Sequence, residues 1–311
     1  MVPVVLVAAV ALGALALIGT PSTWVTLTVA GLAMGLLIFI MASGLTLVFG
    51  LMDVLNFAHG VFIAVGAYVA ASAMKAFGGG LAALAPAMLA AMLVAGALGL
   101  FFERVIIKPV YGQHLKQILI TTGGLIVAEQ LIHVVWGPDL LPLARPEALR
   151  GALLFGDVAL ERYRLAAVGV GLLIFAAMVL TLNRTKLGLL IRAGVENKEM
   201  VEALGYRIRR LFIGVFVAGS ALAGLGGALW GMYQEAVTVH IGAQMMVLIF
   251  IVIIIGGLGS VTGCFVGALL VGLIANYVGY LSPKVALGSN ILLMVMILLW
   301  RPQGLYPVGK T

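Results

Sequence analysis

Apolar residues run along this chain in long blocks, not at the alternate or 3.6-residue intervals of half-buried strands and surface helices. Residues 1–52 contain no Asp, Glu, Lys, Arg or His, which is enough chain for two membrane crossings at about 20 residues each. Further blocks, parted by short polar or Gly- and Pro-marked stretches, predict spans at 3–18, 24–49, 61–74, 81–102, 118–136, 165–182, 211–232, 244–258, 261–280 and 289–300. The pattern predicts an all-α polytopic integral membrane protein, a single transmembrane unit over 1–311 with about eight to ten crossings. The short segments near 53–60 and 244–260 read as broken or re-entrant helices. Such segments are tolerated only where protein or a watery cavity covers their freed backbone groups.

Composition agrees: 63% of the residues are apolar, 9% are charged and the mean hydropathy is +1.22, outside the range of soluble domains. The apolar run over 1–19 lacks a basic leader and is long enough to span, so it is expected to remain as a helix and not to be cleaved as a signal. The net charge of +7 lies in short loops between spans, which speaks for orientation and against a nucleic-acid partner. The segment 183–210 holds Arg184, Lys186, Arg192, Lys198, Arg207, Arg209 and Arg210 and should be cytoplasmic. The segment 103–117, with Arg104, Lys108 and Lys116, agrees with it, whereas 137–164 balances four basic against four acidic residues and should face outward. Counting from these anchors puts both termini in the cytoplasm.

GLYPVGKT at 304–311 matches G-x-x-x-x-G-K-[ST], but a phosphate loop needs a buried strand before it and a helix after it. Here the span 291–300 precedes it, Pro307 removes an amide and no helix follows, so the match reads as accidental. Cys264 is the single cysteine, which excludes an intrachain disulfide and a thiolate metal site, and the four histidines show no metal spacing. No H-E-x-x-H or G-x-S-x-G motif is present, so no enzyme and no bound cofactor are expected of this chain.

The 41 glycines cluster inside spans, as in ALAGLGG at 221–227 and GGLGSVTG at 256–263. Small residues let helices approach closely in lipid, and Gly-interrupted segments in opposite halves also point to a transport site. The recurrence of LIFI at 37–40 and 248–251 suggests an internal repeat. Polar residues inside spans carry the remaining information, since a buried charge needs a partner, water or a role. In DVLNFAHG at 53–60, helical spacing would put Asp53, Asn56 and Gly60 on one face with His59 beside Asn56; the alternative is a turn at the membrane surface. Glu129 and His133 stand at i and i+4, spaced either to pair inside the bundle or to relay a proton. Asn276 with Tyr277 and Tyr280 forms a third polar surface or an interfacial belt.

Three stretches resemble the branched-chain amino acid permeases of bacterial ABC importers. GLTLVFGLMDVLNFAHGVFIAVGAY at 44–68 is similar to their N-F-A-H-G element followed by G-A-Y, in the form carried by the smaller of two related permease subunits. The segment 183–229 opens with R-T-x-x-G-x-x-x-R-A and leads to a short helix and a glycine, which in that family dock the ATPase. IIIGGLGSVTGCFVGALLVGL at 253–273 is the third. The resemblance implies a permease subunit in the bacterial inner membrane. It would form the pathway for branched-chain or related amino acids at its interface with a second, homologous permease chain, dock two cytoplasmic ATP-binding subunits and receive substrate from an extracytoplasmic binding protein. ATP would be held by the partner ATPase. Glu202, Ala203 and Gly205 echo the family's E-A-A-x-x-x-G coupling pattern with a shortened spacing, and Arg207 lies beside them. From the residues alone, 195–204 is a solvated helix capped by Gly205. The resemblance also makes Asp53, Asn56, His59 and Gly60 candidates for the pathway or its gate. Two other classes stay open: a stand-alone, gradient-driven carrier or channel using Asp53, His59, Glu129 and His133, and a non-transporting membrane scaffold.

Overall fold

The computed structural model describes residues 2–196 and 198–307, and is all-helical apart from four short strands. The helices are α1 (Val2–Ile18), α2 (Pro21–Met52), α3 (His59–Ala76), α4 (Leu81–Phe102), α5 (His114–Trp136), α6 (Arg162–Arg184), α7 (Lys186–Glu196), α8 (Lys198–Ala203), α9 (Ile208–Gln234), α10 (Ile241–Gly256), α11 (Val261–Leu281) and α12 (Ala286–Trp300). Seven of these are long and apolar enough to cross a membrane, namely α2 to α6, α9 and α11, and α1, α10 and α12 are shorter apolar helices. Each of the ten apolar blocks therefore coincides with a helix. The protein is an all-α polytopic membrane protein. At 32 residues, α2 is about 48 Å long, well beyond the ~30 Å hydrocarbon layer, so it tilts or projects past it.

Between α6 and α9 the chain is not a plain loop, because α7 and α8 occupy most of it. Opposite them lie the strands. Here β1 (Leu141–Pro142) pairs antiparallel with β4 (Ala236–Val237), and β2 (Ala152–Phe155) with β3 (Val158–Glu161). The guanidinium of Arg145 fastens this segment to α9: Nε donates to the Met232 carbonyl at 2.9 Å, Nη2 to the Tyr233 carbonyl at 2.6 Å, and Nη1 meets Glu161 at 3.3 Å. These bonds satisfy carbonyls that the last turn of a helix otherwise leaves open.

Close glycine contacts hold the centre together, as packing in lipid requires. A Cβ on Gly219 of α9 would lie 2.8 Å from the carbonyl oxygen of Gly44 in α2. The end of α2 at Leu51 packs on Ile208 and Phe212 at the start of α9, so the two long helices run antiparallel.

Two four-helix units, α2–α5 and α9–α12, repeat one plan in opposite orientations. Each opens with a long helix ended by an acid in the left-handed conformation, Asp53 (φ 51°) or Glu235 (φ 55°). A short non-helical stretch follows, then a shorter helix with glycine in its first turn, Gly60 or Gly242. The first helix of each unit packs on the third helix of the other, α2 on α11 and α9 on α4. The LIFI echo does not mark this repeat, since 37–40 lies in the first helix of one unit and 248–251 in the second helix of the other.

Candidate transport pathway

The left-handed turn at Asp53 ends α2, its amide still bonded to the Phe49 carbonyl at 2.9 Å, and the helix does not resume until His59. A single helical face shared by Asp53, Asn56 and Gly60 therefore does not form. The αL residue turns the chain, and the side chains diverge. Asp53 is exposed and meets His114 Nε2 at 3.6 Å, whereas Asn56 and His59 are each 1% exposed.

Amides freed by this break need partners in a water-poor setting, and α5 supplies them. Gln117 Oε1 accepts from Leu55 N at 3.3 Å, and Thr121 Oγ1 accepts from Phe57 N at 3.1 Å. Both side chains are fully buried and fixed in turn, Gln117 Nε2 donating to the Val110 carbonyl and the Thr121 hydroxyl to the Gln117 carbonyl. The sequence reading missed this pair, although two polar residues at i and i+4 on an apolar helix were the available signal. His59 Nε2 lies 3.0 Å from the Met41 carbonyl, and its ring stands edge-on to Phe62. Asn56 differs from all of these: both its amide nitrogen and its amide oxygen are buried and have no partner, an arrangement that folding alone disfavours.

The second break, 236–240, lies between Glu235 and α10. Its strand β4 is held by β1, and α10 then starts against α3. A Cβ on Gly60 would lie 2.7 Å from the Gly242 carbonyl oxygen, and one on Gly242 would lie 2.7 Å from the Gly60 carbonyl carbon. Two helix N-termini thus meet backbone to backbone. Neither is capped by its own N-cap side chain, and both present the positive end of a helix dipole. Three residues before Gly60, Phe57 packs on Phe250, about two turns into α10, at 4.8 Å between ring centroids.

Glu129 and His133 do not form the expected i,i+4 ion pair. The Glu129 carboxylate faces His240 Nδ1 at 3.6 Å, and the His133 ring stands 6.3 Å from that of His240, centroid to centroid. His240 ends the second break, so the acid reaches across to the other unit. Periodicity within α5 had no means of signalling this contact. Asn276 of the third polar group bonds to the Gly272 carbonyl and to Met34, while Tyr277 joins Thr28 at 2.7 Å.

The amides of Leu305 and Tyr306 donate to the Ile255 and Gly256 carbonyls, so these two positions of the tail motif are engaged by α10; 308–311 lie outside the described residues.

At the end of the bundle that carries α7 and α8, Gly205 (φ 85°) closes α8. Its amide donates to the Glu202 carbonyl and that of Tyr206 to the Val201 carbonyl, the Schellman arrangement that ends helices. Glu202, Ala203, Gly205 and Arg207 are all exposed, as are the apolar side chains of Leu204 and Tyr206. Val201 faces inward and forms a small core with Leu51, Ile208, Phe212 and Val215. Leu51 is two residues from Asp53, so α8 rests on the end of α2 where the first break begins.

Residues 27–300 match the family model described as branched-chain amino acid transport system / permease component. The chain is similar to the high-affinity branched-chain amino acid transport system permease protein BraD of Pseudomonas aeruginosa, at 30% identity over 88% of this chain and 93% of that one. The corresponding LivH protein of Escherichia coli K12 is 27% identical over 88% of this chain and 92% of its own length. A second Escherichia coli permease protein of that system, LivM, is 27% identical over 87% of this chain and 68% of its own length. No solved structure is a significant match.

Proposed function

Because this chain belongs to the family of branched-chain amino acid transport permeases, we propose that it is one membrane subunit of an ATP-driven importer for branched-chain or related amino acids. The observation that carries this reading is the junction of the two breaks at Gly60 and Gly242, beside a buried amide, Asn56, that the protein itself leaves unbonded. Opposed helix N-termini suit a carboxylate. The Asn56 amide can accept from an ammonium or donate to a carboxylate, and Phe57, Phe250 and Met246 offer apolar surface to an aliphatic side chain. Asn56, His59 and Gly60 are then the pathway or gate residues, with Asp53 at its mouth.

The partner chains follow from the same reading. LivH and LivM relatives, both resembling this chain, support a second permease subunit. The segment 183–210 is its cytoplasmic coupling element, with α8, its glycine cap and the exposed Leu204 and Tyr206 as the docking surface for an ATPase that binds ATP. Two such ATPases and an extracytoplasmic binding protein complete the importer in the bacterial inner membrane, both termini facing the cytoplasm. Movement of α8 would reach the first break through the Val201–Leu51 contact.

The test is co-purification and reconstitution. The tagged chain, extracted in mild detergent, should bring with it a soluble chain carrying a complete phosphate loop, and a Gly205→Arg variant should lose it. Uphill uptake should require that chain, ATP and the binding protein. The second reading, a gradient-driven carrier, draws support from the Glu129, His133 and His240 group. It predicts uptake by the chain alone, with coupling lost in Glu129→Gln, and either result would displace the importer reading.

A further inference from the structure

Two cavities at the basic end of the bundle adjoin, and their linings are opposite in character. The first, about 640 Å³, is lined by Arg104 and Lys108 from the segment that follows α4 and by Arg207, Arg209 and Arg210 at the start of α9. One carboxylate, Glu202, borders it against these five cations. None of the five takes part in an ion pair among the described residues. The second, about 590 Å³, runs between α2, α6, α7 and α9 and is bordered by Ile174, Leu187, Leu211, Gly214 and Leu222. Arg210 lines both.

A basic cavity that meets an apolar groove at Arg210 is complementary to an amphiphile with an anionic head. The groove follows α9 from Arg210 to Leu222, about 18 Å of helix, close to the ~15 Å depth of one leaflet's hydrocarbon. Five scattered surface cations would serve only to orient the spans; here two elements gather them around one cavity at the membrane boundary. The geometry points to a site for an anionic phospholipid, its phosphate held by the arginine cluster and one acyl chain laid along the groove. Arg210 stands at the joint. Glu202 of the cavity and Leu187 of the groove belong to the segment that carries α7 and α8, so the bound lipid braces that segment against α9.

Lipid retention tests this. The full-length chain is purified with phosphatidylglycerol or with phosphatidylcholine, and bound lipid is counted by native mass spectrometry. Wild type should hold phosphatidylglycerol in preference, and Arg104→Gln/Arg209→Gln should weaken its retention roughly 30-fold. Gly214→Leu should displace the acyl chain and lower retention by itself. Its added side chain starts in open space, with nothing within 4 Å of the Cβ, so folding is not at stake, and a thermal melt checks both variants. Equal retention of the two lipids would overturn the proposal, as would unchanged retention in either variant. Displacement of the lipid by inorganic phosphate with no effect of Gly214→Leu would reduce the site to a phosphate site. Loss of a co-purifying protein with the lipid retained would assign the cavity to protein docking.

Discussion

Replacing Thr121 with valine keeps the shape of the side chain and removes one oxygen. That oxygen accepts the Phe57 amide across the first break at 3.1 Å, in a side chain with no solvent exposure. Its own proton goes to the Gln117 carbonyl, an acceptor that α5 already satisfies, so the loss falls on the Phe57 amide. An orphaned buried amide costs about 1–3 kcal/mol. Thr121→Ser keeps the acceptor and gives up one buried methyl, about 0.8 kcal/mol. Valine should therefore be the costlier change, lowering the melting temperature by about 2–5 °C against about 1 °C for serine. Cys264 offers the assay, since it is the only cysteine in the sequence and is buried. A thiol-reactive fluorophore added to detergent-solubilised protein then reports unfolding. If valine melts with wild type, or serine proves worse than valine, the Phe57 amide does not depend on Thr121 and α5 does not hold the break.

Gly60→Ala puts a methyl 2.7 Å from the Gly242 carbonyl oxygen, where ordinary contact needs about 3.4 Å; the two helix ends must separate at about 1–3 kcal/mol, and reconstituted uptake should fall further than folded yield. Arg145→Lys keeps the charge but cannot span the Met232 and Tyr233 carbonyls as the planar guanidinium does; about 2–3 kcal/mol should be lost, read as earlier Cys264 labelling on heating. Burial, then the hydrogen bond to Glu103, raises the Tyr111 phenol above its usual value of 10.0. Above about pH 10 the unfolded chain gives up this proton while the folded chain keeps it, so stability falls as pH rises; Tyr111→Phe should flatten the melting curve against pH in that range and leave its slope below pH 10 unchanged.

How much of this was legible in the sequence depended on how local each constraint is. Ten apolar blocks could be read because a bilayer demands near-continuous hydrophobicity over a fixed length, whatever surrounds it. Buried Asn56 and His59 stood out against that background, yet their geometry did not, since helical spacing fails once Asp53 turns left-handed. Gln117 and Thr121 were overlooked because a polar residue in a span advertises a need without naming its partner. Arg145 reaches carbonyls 87 and 88 residues away, and the Glu129 carboxylate meets His240 from the opposite unit; no periodicity records such contacts. The helix cap at Gly205 was readable because capping depends on a few adjacent residues.

The four apolar letters of LIFI do not carry the internal repeat, which lies in conformation. A non-glycine residue in the left-handed region costs about 1–2 kcal/mol, and this chain accepts that cost at Asp53 and Glu235 alone among the described residues. In both places a nitrogen-bearing side chain of a neighbouring segment stands by: the His114 imidazole at 3.6 Å from Asp53, and the Arg145 guanidinium at 3.8 Å from Glu235. Glycine would remove the strain and also the anchor. An acid at this position fixes where the long helix stops and ties the start of the break to the adjoining segment, so the next helix begins at Gly60 or Gly242. The two anchors lie at opposite ends of the bundle, while the two helix starts touch. A displacement at either anchor therefore bears on the same junction from opposite sides.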